Sequence, residues 1–238
     1  MARMLLVHGA AHGAWCWRDV IPALRALGHE AVAIDLPSHG ADSAAPETVG
    51  FDDYTDAVLA ALAETPSVLV GHSMGGYPIS AAADRRPDLV QRLIYVCAYL
   101  PQPGKSLVDM LRQASSQPLT PVIAVSEDRK TMVFDPDRSP PLLYHDCPPG
   151  TAEYAVPRLS RQPMAPQLAR PALDGGFADV PKSYVLCRND RAIPPDHQAA
   201  MSAGLDPADV YPFDSGHSPF FADPDGLAQL LDRIARRG

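Results

Sequence analysis

A short apolar run that stops at a Gly-x-Ser-x-Gly pattern is the feature that most constrains how this chain can fold. The run covers residues 67–70, and residues 71–75 read Gly-His-Ser-Met-Gly. A run of Val and Leu of this length predicts a strand buried on both faces, and the alanine-rich stretch that follows predicts a helix. Ser73 would therefore lie on a tight strand-to-helix turn, flanked by glycines that have no β-carbon to collide there.

The chemistry of such a turn explains why the spacing matters. A serine on a sharp strand-to-helix turn, the nucleophile elbow, presents its hydroxyl at the helix N-terminus, where free N–H groups favour developing negative charge. The same five-residue pattern also occurs in ordinary turns. A catalytic role for Ser73 therefore depends on partners elsewhere in the chain.

Strand-like and helix-like segments alternate on both sides of this turn. Besides residues 67–70, predicted strands cover residues 4–7, 31–34, 93–98, 182–187 and 210–213. Apolar residues at helical spacing predict helices over residues 15–27, 51–63 and 226–236. This alternation predicts an α/β fold with a mostly parallel sheet and helices on both faces.

The amino-acid composition changes between residues 101 and 171, a segment that we call the insertion. Prolines are dense there and no strong strand pattern is present, yet apolar residues persist. Long segments of this kind are often covers of an active site, so we predict a lid, with a plain surface insertion as the alternative. Residues 1–100 and 172–238 would then form the core of a single-domain protein.

Two later positions supply the partners that a nucleophilic serine needs. Asp190 and His217 each follow a late predicted strand, at the sheet edge where open α/β sheets place their sites. Their order along the chain is that of hydrolase triads on such sheets, so we predict a triad of Ser73, Asp190 and His217. His72 adjoins Ser73 and Asp214 lies only three residues before His217, which makes both weaker candidates.

A glycine-rich loop at residues 8–13 follows the first predicted strand. In a hydrolase it would supply one oxyanion N–H from Ala10, with the second from Met74 directly after the nucleophile. His8 and His12 could suggest a metal, but no acidic or cysteine ligands accompany them, so no metal is predicted.

Composition limits the partners and the compartment. The formal net charge of −8 argues against nucleic acid or an anionic membrane, both of which favour basic surfaces. No signal peptide or membrane-spanning segment is evident, so we predict a cytoplasmic protein. The four cysteines show no C-x-x-C pair and are interpreted as free thiols: Cys16, Cys97, Cys147 and Cys187.

The chain resembles the methylesterase and hydroxynitrile lyase branch of the α/β-hydrolases over nearly its whole length. The segments that carry the resemblance are residues 6–17, 35–40, 70–76, 190–198 and 216–217. It implies the α/β-hydrolase fold, the triad and oxyanion donors named above, and a mostly helical cap between a strand ending at Ala98 and one starting near Tyr184. Because members of this branch often form dimers, a homodimer is left open.

The function expected from these features is hydrolysis of a small to medium hydrophobic carboxylic ester through an acyl-enzyme, with no cofactor. The apolar insertion suggests an uncharged small-molecule ester. The residues predicted to contact it are His12, Trp15, Leu107, Leu111, Phe134 and Leu143.

Other activities stay open as alternatives. A lactonase or a hydrolase of pyrethroid-like pesticide esters would use the same machinery. Lyases of this branch carry a Thr in the first loop and a Lys after the catalytic His, where this chain has Gly9 and Ser218. That difference disfavours lyase chemistry. A small-molecule receptor built on the same fold is the alternative from another class.

Overall fold

A six-stranded sheet lies at the centre of the computed structural model, which describes residues 1–237. Each neighbouring pair of its strands is parallel. In spatial order the strands are β2 (Glu30–Ile34), β1 (Arg3–Val7), β3 (Ser67–His72), β4 (Val90–Val96), β8 (Lys182–Cys187) and β9 (Val210–Phe213). The predicted parallel sheet is confirmed, with every predicted strand present.

Helices connect these strands. The α-helices of the core are α1 (Val20–Ala26), α2 (Phe51–Leu62), α3 (Gly76–Arg85), α8 (Pro195–Ser202), α9 (Pro219–Ala222) and α10 (Pro224–Ala235). Short 3₁₀ helices cover Ala14–Trp17, Ser73–Gly75, Pro87–Leu89, Thr120–Val122, Val156–Arg158, Phe177–Asp179 and Pro207–Asp209. Within residues 1–237, none of the helices is both long enough and apolar enough to cross a bilayer.

The helix predicted over residues 15–27 is wrong in one respect, because it is broken into two pieces. A 3₁₀ turn comes first, and α1 begins only at Val20. The N–H of Ala14 donates to the Asp35 carboxylate at 2.6 Å, which anchors this turn to the loop after β2.

The hydrophobic core lies on both faces of the sheet. Along β1, Met4 and Leu6 join one apolar cluster, whereas Leu5 and Val7 join the other, which is the period-two alternation of a strand. The first cluster includes buried residues of α1 and α10, and the second includes those of α2, α3 and α8. Helices therefore cover both faces, as predicted.

The insertion combines short helices with strands. Its helices are α4 (Leu107–Leu111), α5 (Pro140–Leu143), α6 (Thr151–Ala155) and α7 (Ala165–Leu168). A second, antiparallel sheet contains β5 (Ile123–Val125), β6 (Thr131–Phe134) and β7 (Gln162–Pro163). The resemblance implies a mostly helical cap, and the structure adds this small sheet to the helices. Its strands are two to four residues long, too short to give a clear period-two pattern in the sequence.

A buried glutamine fastens the insertion to the core. Gln162 has no exposed surface, and its Oε1 accepts from the Ala11 N–H at 2.9 Å and from His39 Nε2 at 3.0 Å. Its Nε2 donates to the Tyr54 hydroxyl at 3.1 Å. One side chain thus satisfies three polar groups of the core, which fixes the position of β7 over the loop that follows β1.

The turn between β3 and α3 is strained and closely packed. Ser73 has φ +52°, in the left-handed region that non-glycine residues seldom adopt. A β-carbon at Gly71 would lie 2.7 Å from the Gly75 carbonyl oxygen, and one at Gly75 would lie 2.8 Å from the His8 carbonyl oxygen. The two glycines of the motif are therefore required because the backbone passes too close for any side chain.

The glycine that follows the motif provides a test of this packing. A β-carbon at Gly76 would lie 2.2 Å from the Tyr99 carbonyl oxygen, so Gly76→Ala must displace backbone. We expect it to lower the free energy of unfolding by about 1–3 kcal/mol, as overpacked sites do, measured by urea denaturation. Gly204→Ala is the control, because no atom lies within 4 Å of its β-carbon position. Equal stabilities of the two variants would contradict this description of the turn.

Candidate active site

Three side chains predicted to work together meet at the C-terminal edge of the sheet. Ser73 follows β3, Asp190 lies in the loop after β8, and His217 lies in the loop after β9. The Nδ1 atom of His217 is 2.8 Å from Oδ2 of Asp190. The exposed fractions of the three residues are 8%, 4% and 3%. The predicted serine, acid and histidine are thus brought together at a site largely shielded from water.

Every donor around Asp190 stabilises its carboxylate. Oδ1 accepts from the backbone N–H groups of Ala192 at 2.7 Å and Ile193 at 2.9 Å. Oδ2 accepts from Gln198 Nε2 at 3.0 Å in addition to His217 Nδ1. An ionised carboxylate is an acceptor only, and here both of its oxygens have two donors each. This arrangement fixes the carboxylate and leaves Nδ1 of His217 as the protonated nitrogen.

His72 and Cys97 hold the backbone of His217. Nε2 of His72 donates to the His217 carbonyl oxygen at 2.8 Å, and Sγ of Cys97 donates to the same oxygen at 3.6 Å. Potential metal-ligating atoms of these three residues lie within 4.8 Å of one another. Both histidines already use a ring nitrogen in hydrogen bonds, to the carbonyl and to Asp190. The cluster therefore fixes the backbone of His217 next to His72, the residue directly before Ser73.

Two peptide units next to Ser73 have their carbonyl groups fixed by hydrogen bonds. The carbonyl of Ser73 accepts from the Tyr99 N–H at 3.0 Å, and the carbonyl of Gly9 accepts from Nδ1 of His8 at 2.8 Å. A planar trans peptide directs its N–H opposite to its carbonyl, so the N–H groups of Met74 and Ala10 point away from these partners. Ala10 and Met74 line the same cavity as Ser73.

Burial fixes the protonation state of His8. Its Nε2 accepts from the Leu36 N–H at 3.0 Å, so the proton of the neutral ring is on Nδ1, which donates to Gly9. Complete burial, together with the nearby His39, lowers its pKa well below the usual 6.5. A neutral His8 therefore maintains the orientation of the Gly9–Ala10 peptide. Sequence reasoning considered His8 only as a metal ligand.

The inner cavity, a space of about 50 Å³ beside Ser73, is lined by both the core and the insertion. His12, His72 and His217 line it from the core. The apolar lining includes Leu107, Leu111, Leu119, Ile123, Phe134 and Leu143. Of the six residues predicted to contact a substrate, five therefore line this cavity. Trp15 lies behind it, stacked on His12 with ring centroids 5.3 Å apart.

His12 joins the cavity wall to the insertion. Its Nδ1 donates to the Ala10 carbonyl oxygen at 2.9 Å, which leaves Nε2 to accept from the Tyr144 hydroxyl at 2.8 Å. Burial lowers the pKa of His12 to about 4, and the nearby His217 contributes to the same shift. His12 is therefore neutral at physiological pH.

The Ser73 hydroxyl makes no hydrogen bond to His217 within the part of the chain that the structure describes. Both residues nevertheless line the inner cavity. Nucleophile–base hydrogen bonds are often long or poorly aligned in the absence of substrate and tighten when substrate is bound. Ser73 and His217 therefore lie on one wall of the cavity, and we expect the hydrogen bond between them to form when substrate is bound.

Comparison with known proteins identifies the family of the chain. The profile of the alpha/beta hydrolase family matches residues 4–230. The chain belongs to that family. It is 30% identical to "Methylesterase 3" of Arabidopsis thaliana, over 98% of this chain and 96% of that protein. It is 31% identical to "Esterase PIR7B" of Oryza sativa subsp. japonica, over 98% and 95%.

A solved structure is similar over the same extent. It is that of a pyrethroid hydrolase from Sphingobium faniae JZ-2, with a TM-score of 0.88 and 26% sequence identity. The match covers 99% of this chain and 97% of that one. Together with the methylesterase relatives, this places the chain in the methylesterase branch of the α/β-hydrolases.

Sequence reasoning missed several residues that shape the site of this α/β-hydrolase. His72 was set aside because it adjoins Ser73, and Gln198 was noted only as the end of a similar segment. The signal for His72 is its position as the last residue of β3, directly before the nucleophile. Asp214, the weaker acid candidate, forms an exposed ion pair with Arg188 at 2.8 Å.

The low pKa of His12 gives this α/β-hydrolase an acid-sensitive fold. Between pH 6.5 and 4 the unfolded chain binds a proton at this position that the folded chain does not, so stability falls as the pH falls. One pKa unit corresponds to about 1.4 kcal/mol, so His12 alone contributes a loss of roughly 3 kcal/mol across that window. We expect His12→Gln to lose less stability than the wild type when urea unfolding is compared at pH 7 and pH 4.

Tyr144→Phe is the matched control for this test. It removes the hydroxyl that donates to His12 but keeps the imidazole that titrates. Because burial is the largest cause of the low His12 pKa, the stability of Tyr144→Phe should retain most of the pH dependence of the wild type. A His12→Gln variant with an unchanged pH dependence would show that another group causes the acid sensitivity.

Proposed function

We propose that this chain is a serine hydrolase of carboxylic esters, with Ser73, His217 and Asp190 as its catalytic triad. The observation that carries the proposal is the buried Asp190–His217 hydrogen bond beside a serine held at φ +52° on the same cavity. The relatives named esterase and methylesterase support the reaction type. The backbone N–H groups of Ala10 and Met74 form the oxyanion hole.

The hydrogen bonds assign a role to each group. Because His217 Nδ1–H donates to Asp190, Nε2 is the unprotonated nitrogen that accepts the proton of Ser73 as Oγ attacks the ester carbonyl. The Oγ–carbon bond forms, the negative charge moves onto the carbonyl oxygen, and His217 then protonates the departing alkoxide as the ester bond breaks. Water, activated by the same imidazole, hydrolyses the acyl-enzyme and regenerates Ser73.

The surrounding buried histidines disfavour positive charge on their own rings, so that the charge develops on His217. The pKa of His72 lies well below 6.5, chiefly because of burial and then because of repulsion from His217 and His12. A proton taken from Ser73 is therefore stabilised at the ring that has Asp190 beside it. The oxyanion formed opposite is stabilised by fixed amides, and loss of one such donor typically costs about 100- to 1,000-fold in kcat.

The cavity supports a hydrophobic ester at the reacting end. Its lining includes four leucines, two isoleucines and one phenylalanine. The 26% identity to a pyrethroid hydrolase favours bulky pesticide-type esters as a second candidate class. A lyase-type Thr at Gly9 is disfavoured, since a β-carbon there would lie 2.9 Å from Cβ of Ser73 and 2.8 Å from Nδ1 of His72. A location in the cytoplasm is part of this proposal, as is the lack of a nucleic-acid partner for a chain of net charge −8.

Hydrolysis of an ester panel tests the proposed function. The panel contains p-nitrophenyl esters of increasing acyl length, methyl esters, a lactone and a pyrethroid. We expect Ser73→Ala to lower kcat by at least about 1,000-fold and Asp190→Asn by about 10,000-fold, the sizes typical of triads. Ser43→Ala, a change of an exposed serine in the loop before α2, should retain the wild-type rate.

The panel also separates the substrate classes. Faster turnover of the lactone or the pyrethroid than of the simple esters would select that class within the same mechanism. A folded wild type that binds panel esters without turnover, or a Ser73→Ala variant with the wild-type rate, would contradict the hydrolase proposal and favour the receptor.

A further inference from the structure

A second and larger chamber adjoins the inner cavity. This outer chamber has a volume of about 520 Å³ and lies within the insertion. Leu111, Ile123, Met132 and Gln167 line both spaces. Because the same four side chains line both spaces, the outer chamber lies directly beside the cavity that contains Ser73.

The two spaces differ in the size of the ligand group that each can hold. The inner cavity, at about 50 Å³, has room for little more than the reacting group, whereas sites for drug-sized ligands measure about 300–1,000 Å³. The outer chamber lies within that range. A substrate too large for the inner cavity has the outer chamber beside it as the space for its remaining part.

Two arginines distinguish the outer chamber from the apolar inner cavity. Arg112, directly after α4, and Arg129, in the turn between β5 and β6, both line it. The remaining lining is apolar or uncharged, and no acidic side chain contributes to it among the described residues. The chamber thus combines apolar walls with two positive charges.

Neither arginine is neutralised by a carboxylate within residues 1–237. Asp109, three residues before Arg112, and Asp128, directly before Arg129, have other partners. Asp109 pairs with Arg170 at 2.8 Å, and Asp128 accepts from the Ser126 hydroxyl at 2.6 Å and from a backbone N–H at 3.1 Å. Two unpaired guanidinium groups at one apolar chamber produce a positive field that an anionic ligand group would complement.

A buried amide donor lies where the two spaces meet. Gln167 is 7% exposed, and its Nε2 has no hydrogen-bond partner within the described part of the chain. Buried polar groups in proteins are nearly always paired, and an unpaired donor costs stability. Because Gln167 lines both spaces, this donor is available to an acceptor oxygen on a ligand that passes between them.

We propose that the substrate is an elongated amphipathic ester that carries a carboxylate at the end remote from the ester. The inference rests on the proposed function and extends it. The ester group occupies the inner cavity at Ser73, an apolar segment passes Gln167, and the remote carboxylate binds between Arg112 and Arg129. Such a substrate is neutral at its reacting end and charged at the remote end, whereas the sequence suggests an ester without charge.

Binding to a variant that cannot turn over substrate tests this without relying on catalysis. In the Ser73→Ala background, monomethyl suberate would be compared with the methyl ester of ω-hydroxyoctanoate by calorimetric titration. The two esters have the same chain length and differ in the terminal charge. We expect the anionic ester to bind about tenfold more tightly, the size of two exposed ion pairs, and the difference to shrink in high salt.

Neutralising the arginines should remove that preference. Arg112→Gln/Arg129→Gln should lower both the affinity of Ser73→Ala and the kcat/KM of the active enzyme for monomethyl suberate by about tenfold, while values for the neutral ester stay constant. Arg233→Gln, an exposed arginine on α10 outside both chambers, is the charge-matched control and should retain the preference.

The outcomes separate this proposal from the function on which it rests. Equal affinity of Ser73→Ala for the two esters, or a preference that survives the double substitution, would overturn the carboxylate site. If neutral esters were still hydrolysed through Ser73 in that case, the proposed function would stand. A preference for the anionic ester that the double substitution abolishes, in a protein without hydrolytic activity, would support the site and contradict the function.

Discussion

The left-handed backbone of Ser73 is the constraint on which the rest of this structure depends. A φ of +52° is maintained only because the surrounding chain holds it: Gly71 and Gly75 leave room for carbonyl groups, and the Tyr99 N–H donates to the Ser73 carbonyl at 3.0 Å. These contacts come from the ends of β1, β3 and β4, so three strands of the sheet must be in register for the turn to form. The nucleophile is therefore positioned by the whole sheet.

Burial gives the neighbouring histidines a shared electrostatic role. His8, His12 and His72 all have pKa values below 6.5 because they are buried, and each of them donates one hydrogen bond to a backbone carbonyl. They act as rigid neutral connectors that orient the loop after β1 and the backbone of His217. His217 differs from these three histidines because it has a carboxylate at hydrogen-bond distance. Positive charge that develops in the site is therefore stabilised on His217.

Much of the fold and the centre of the site could be predicted from sequence, for identifiable reasons. The strands of the sheet are buried apolar runs, and Ser73, Asp190 and His217 follow such runs, so their meeting at one edge is a consequence of parallel topology. The insertion could not be predicted in the same way. Gln162, Gln167 and Tyr144 are ordinary polar residues in a proline-rich segment, and their roles depend on partners far away in the chain, such as Ala11 and His12. Short strands such as β7 depend on those contacts more than on local sequence.

The central claim is that Ser73 is a nucleophile activated by His217. The most direct measurement is the intact mass of the protein after exposure to a fluorophosphonate, for the wild type, Ser73→Ala and His217→Ala. The account predicts a single adduct on the wild type, none on Ser73→Ala, and greatly slowed labelling of His217→Ala. A folded wild type that gains no adduct, or a Ser73→Ala variant labelled as fast as the wild type, would contradict it.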